Sequence, residues 1–145
     1  MNIARLFAAA AVAAAGFALP VSAQQMKTVG GMVVNIGIVN AIMAEHADAQ
    51  HGAHKGGHGA GFEHIVIALA EEKGAARIAD AEVSIEVKNP KGALQKKPLM
   101  PMVTAGYPDY SEVFDFGWSG NYAVRVLIKR KNAPRAVEAN FIVKR

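Results

Sequence analysis

Two stretches constrain this chain more than any other feature. Residues 82–88 read EVSIEVK, and residues 122–129 read YAVRVLIK. In the first, Val83, Ile85 and Val87 share one parity, and Glu82, Ser84, Glu86 and Lys88 share the other. In the second, Tyr122, Val124, Val126 and Ile128 line up. A period of two marks a strand with one face on a core and the other in water. Each stretch is followed by turn chemistry: Asn89-Pro90-Lys91-Gly92 after one, Asn132-Ala133-Pro134 after the other.

The rest of the chain repeats this pattern less cleanly. Met32 to Val39 is apolar on both faces. Ile65 to Leu69, Val113 to Phe116 and Ala136 to Val143 also read as strands. Leu99 to Val103 contains Pro101, which lacks a ladder N–H, so this piece is expected at a sheet edge or in a loop. Glu63 to Ala76 holds Ala and Glu, yet Gly74 and the branched Ile65-Val66-Ile67 favour a strand running into a turn. The expectation is about seven strands in an all-β, immunoglobulin-like antiparallel β-sandwich. Gly117 to Tyr122, a turn followed by a Tyr that opens a strand, is the setting of a tyrosine corner.

The N-terminus reads as a leader. Arg5 precedes an apolar run from Leu6 to Leu19, and Val21-Ser22-Ala23 supplies the small residues of a cleavage site. The run is short for a membrane span. Residues 1–23 are therefore expected to be a signal peptide, and residues 24–145 a single β-sandwich domain in the periplasm. Losing Arg5 lowers the formal charge of +4 by one. A balance so mildly basic, in an exported chain, argues against nucleic acid as a partner. There are no cysteines. The domain must hold by packing, and any metal site must use His, Met, Asp, Glu, Tyr or backbone groups.

Residues 46–64, HADAQHGAHKGGHGAGFEH, carry all five histidines: His46, His51, His54, His58 and His64. His51, His54 and His58 could share a helical face. Gly52, Gly56, Gly57 and Gly59 oppose that helix by about 1 kcal/mol each. A His/Gly-rich loop over 45–62 is the better expectation. Neutral imidazole suits Cu, Zn and Ni, and His-rich tracts are metal binders by composition. The plainer alternative is a soluble loop without a ligand, with His64 a half-buried residue at a strand start. Met100 and Met102 alternate in an extended piece, so their thioethers point the same way. Such ligands select Cu(I) or complete a Cu(II) site with histidines, although methionines more often fill core gaps. Ser84, Ser111 and Ser119 lie in no nucleophile elbow, the acids are scattered, and no glycine loop has a phosphate-binding context. An enzyme is not expected.

Met100-Pro101-Met102-Val103, then Gly106 and Tyr107, then Gly120-Asn121-Tyr122, resemble a periplasmic iron-transport accessory family. Gly59-Ala60-Gly61-Phe62 is also similar to it, and the likeness spans roughly residues 57–130. The resemblance implies an immunoglobulin-like sandwich that dimerises, binds copper through a Met and several His, and accompanies a high-affinity iron permease of the inner membrane. Met102 matches the family's ligand Met. Asp109, followed by Tyr110, stands where the family has a ligand His. Ala44-Glu45-His46-Ala47-Asp48 aligns loosely with a further ligand segment, placing His46 where the family has Glu and Ala44 where it has His. The family's His before its last strand has no counterpart in the short Lys131 to Pro134 turn.

The resulting expectation is an exported protein that binds copper, with iron or zinc as alternatives, and assists iron or copper uptake and homeostasis. Its metal ligands would come from His46, His51, His54, His58, His64, Met102 and Asp109. The competing expectations are an immunoglobulin-like envelope interaction module without metal, and a small periplasmic copper chaperone.

Overall fold

In a computed structural model, residues 25–40 and 61–145 are described. The expected leader lies outside these residues, as do His46, His51, His54 and His58. Nine strands are present among the described residues: β1 (Gln25–Val29), β2 (Met32–Asn40), β3 (Phe62–Glu71), β4 (Ala81–Lys88), β5 (Leu94–Pro98), β6 (Met100–Thr104), β7 (Tyr107–Asp115), β8 (Asn121–Arg130) and β9 (Val137–Lys144). They form two antiparallel sheets, ordered β1-β2-β3-β7-β6 and β5-β4-β8-β9. The expected sandwich is what the chain adopts. β1 and β5, polar and only five residues each, are the additions to the expected seven. Both are edge strands, so neither carries the alternation by which a half-buried strand is recognised.

The core is the set of inward parities. Met32, Val34, Ile36 and Ile38 of β2 and Ile65, Ile67 and Leu69 of β3 face Val83, Ile85 and Val87 of β4 and Tyr122, Val124, Val126 and Ile128 of β8. Val33 and Val39, and Val66 of β3, take the opposite parity. The apolar residues seen on both sides of β2 therefore cover two different faces. Of the loop expected over 45–62 only the last two residues are described, and Phe62 among them already opens β3.

Tight turns set the register. Val29 faces Met32 across Gly30-Gly31, both at positive φ (56° and 74°). A Cβ on Gly30 would meet Val137 Cγ1 at 2.7 Å. Thr104 faces Tyr107 across Ala105-Gly106, also at positive φ (50° and 82°). Both are two-residue hairpins of the type that demands left-handed residues. Pro101 lies in β6, at the sheet edge where its missing N–H leaves no ladder bond open. The tyrosine corner forms as the sequence implies. Tyr122, fully buried, donates its hydroxyl to Trp118 O and accepts from Trp118 N–H, both at 2.9 Å.

A second tyrosine tie was not legible beforehand. Tyr110 on β7 is buried, and its hydroxyl donates to Ile78 O at 3.2 Å and accepts from Ala81 N–H at 3.0 Å. It fastens the connection that carries the chain from β3 in one sheet to β4 in the other. Burial pushes the Tyr110 phenol up from its ordinary range.

Candidate metal centre

The face of the five-stranded sheet that points away from the core holds the described candidates. On β7, Tyr110 and Phe114 enter the core, so Asp109, Ser111 and Val113 point outward. On β6, Met102 lies directly opposite Asp109, and Met100 opposite Ser111. Directly paired residues share a face with Cβ atoms about 5 Å apart. A thioether and a carboxylate thus stand side by side at the β6–β7 edge. Met102 is half-buried and Met100 exposed. Asp109 and Ser111 retain only 9% and 8% of their exposure, although they belong to the outer face. A carboxylate so withdrawn from water needs cationic company.

That company includes Arg77, whose Nη1 lies 3.6 Å from Asp109 Oδ1. The same guanidinium sits 5.4 Å from the centroid of the Tyr107 ring. Arg77 belongs to the connection after β3. The β3–β7 ladder runs only as far as Ile67 opposite Tyr110. Beyond it, Ala70 bridges to Arg77, Glu71 N–H donates to Ala76 O, and Ile78 N–H donates to Leu69 O. β2 occupies the other side of β3 to its end. The Ala76–Ile78 turn therefore takes up the lane that β7 leaves, which sets Arg77 beside Asp109. Sequence reasoning missed Arg77, because no local pattern in a turn announces which strand it will continue.

His64 is placed differently. It lies on β3 opposite Val113, four residues along β7 from Asp109, or about 14 Å of strand. Its Nδ1 lies 3.2 Å from Ser111 Oγ, in hydrogen-bond contact, with the direction set by the tautomer. The fold brings Met102 and Asp109 together and leaves His64 two positions up the same face, tied to Ser111. Ser111 lies in no nucleophile elbow, yet it alternates with Asp109, and that alternation alone assigns it to this face. Among the described residues, no three His, Asp or Glu side chains cluster as a complete metal site. The donor chemistry of Met102 and Asp109, soft sulfur on one side and hard oxygen on the other, fits a copper ion.

No helix among the described residues is long and apolar enough to cross a membrane. No family model matches the sequence, and no curated protein does either. Solved structures do match in fold. A DUF4426 family protein from Pseudomonas aeruginosa superposes with a TM-score of 0.68 at 16% identity, over 84% of this chain and 94% of that one. FetP of uropathogenic Escherichia coli strain F11, recombinantly expressed in the periplasm of Escherichia coli BL21(DE3), gives 0.66 at 16% identity over 83% and 92%. The copper-reconstituted P19 protein of Campylobacter jejuni gives 0.61 at 16% identity, again over 83% and 92%. At such identities the similarity is one of architecture: the nine-stranded sandwich of this chain is the fold on which P19 holds copper.

Proposed function

We propose that this chain is an exported, periplasmic copper-binding protein of the iron-transport accessory type, assisting iron or copper uptake without catalysing a reaction. The observation that carries the proposal is the Met102–Asp109 pair, set cross-strand on the outer face of a sandwich similar to copper-bound P19 and to a copper-bound FetP variant. Met102 supplies a thioether and Asp109 an oxygen, and one or more of His46, His51, His54 and His58 complete the sphere. His64 serves as a neighbour of the site through Ser111. Copper is the preferred ion, and iron and zinc are weaker fits to a sulfur-containing set. A metal permease of the inner membrane and a second copy of the chain are the proposed partners.

Chelator-treated protein, purified without an affinity tag, is titrated with Cu(II) and with Cu(I). Met102→Leu should weaken Cu(I) binding about tenfold or more, and replacing the four segment histidines by Asn should do the same for Cu(II). Wild-type affinity in both variants would sink the proposal. Binding should also fade as pH falls through the imidazole range, since a protonated ring cannot ligate.

A second reading has its own observation. Val103 is 72% and Met100 60% exposed on β6, a sheet-edge strand. An envelope interaction module would use that edge by strand addition. Absence of any saturable copper site would favour it.

A further inference from the structure

We infer that Arg77 is the built-in counter-cation of Asp109, holding the carboxylate in the metal-free protein and yielding it when a metal ion binds. The inference rests on the metal-binding reading above and adds how the site is regulated. Three observations carry it. The guanidinium and the carboxylate are already paired at 3.6 Å, while Met102 stands opposite Asp109 in the β6–β7 ladder. Arg77 is anchored by backbone: its bridge to Ala70 and the flanking Ala76 and Ile78 hydrogen bonds fix where its side chain starts. The Tyr107 ring offers the guanidinium a second resting place, since an arginine stacks on an aromatic face without needing the carboxylate.

Arginine can neither ligate a metal nor lose its charge at any working pH. It therefore competes with an incoming cation for the carboxylate and repels it through space. The competition lowers affinity and keeps Asp109 compensated whenever the metal leaves. A carrier must release its cargo, and a carboxylate handed back to a waiting guanidinium makes release less costly than one left bare. Because the arginine does not titrate, this opposition persists at high pH, where imidazole ligands are fully available.

The test is a double-mutant cycle on the full mature chain, read as copper affinity by competition with a chelator. Arg77→Met should raise Cu(II) affinity about 3- to 10-fold, the effect of one partly exposed ion pair plus lost repulsion. In an Asp109→Asn background the same change should shift affinity less than about twofold, because the shared carboxylate is gone. Arg77→Lys should bind like the wild type. An unchanged or lowered affinity in Arg77→Met overturns the inference, as does an equal gain in both backgrounds. If neither wild type nor Arg77→Met binds copper, the metal-binding reading and the inference both fall. If the wild type binds and Arg77→Met matches it, only the inference falls. Should Asp109→Asn not fold, the wild-type chain supplies the second measurement. The Arg77 Nε–H resonance must shift on saturation with Cu(I), and a resonance that stays in place overturns the displacement.

Discussion

Removing one oxygen from Tyr110 should loosen the joint between the two sheets. Its hydroxyl satisfies two backbone groups, Ala81 N–H at 3.0 Å and Ile78 O at 3.2 Å, on the connection that crosses from β3 to β4. Tyr110→Phe keeps the ring, which is 1% exposed and packed in the core, so the apolar area buried does not change. What is lost is hydrogen bonding. A net bond contributes about 0.5–1.5 kcal/mol, and an orphaned buried donor costs more than an orphaned carbonyl. The two together give about 2 kcal/mol of destabilisation. For a domain of this size that is a fall in Tm of roughly 6–12 °C. The assay is urea unfolding followed by Trp118 fluorescence, with calorimetry for Tm. The urea m-value should stay constant, because the surface exposed on unfolding is the same. Amide exchange at Ala81 should accelerate, since its N–H has no other acceptor offered by the phenylalanine. A loss below about 0.5 kcal/mol, or unchanged protection at Ala81, would refute the claim that this hydroxyl holds the crossover.

Three further outcomes are expected. Tyr122→Phe should also cost about 1–3 kcal/mol, because Trp118 N–H and O lose their shared partner; denaturant midpoints check it. Ala105→Gly or Ala105→Asn should stabilise by about 0.5–1 kcal/mol, since Ala105 sits at φ 50° in a two-residue hairpin that favours left-handed residues, and a lower Tm in both would be the contrary result. The Tyr110 phenol is raised in the folded state, so the unfolded chain loses its proton first. Its contribution is complete below the unfolded value near 10 and is lost as pH rises from there through the folded value. Stability measured between about pH 9 and 12 should therefore fall less steeply in Tyr110→Phe than in the wild type.

The surface of the other sheet predicts a salt response and no site. Lys96, Glu86, Arg125 and Asn140 stand in one row across β5, β4, β8 and β9, and Arg125 also pairs with Glu138. The hydrogen bond from Lys96, with Arg125 beside it, holds the Glu86 carboxyl below its ordinary range. Lys96 and Arg125 are exposed and Glu86 is half-buried between them, so added salt should mute the row with little effect on the fold.

The sequence by itself determined the sandwich. Period-two runs at Glu82–Lys88 and Tyr122–Lys129 can bury their apolar residues only as half-covered strands, and Gly117 to Tyr122 dictates its own corner. Alternation also assigned Met102 to the same face as Met100, because two residues along a strand is a full repeat. Partnership across strands was decided by tertiary structure. Met102 faces Asp109 because a two-residue turn at Ala105-Gly106 fixes that register, and a slip of one residue would reverse the faces. His64 stands apart from them because β3 runs antiparallel beside β7 and sets it opposite Val113. Arg77 reaches Asp109 only because a turn after β3 fills the lane that β7 leaves. Local periodicity reports which way a side chain points. Which side chain it meets depends on register and strand order, and those are properties of the assembled sheets.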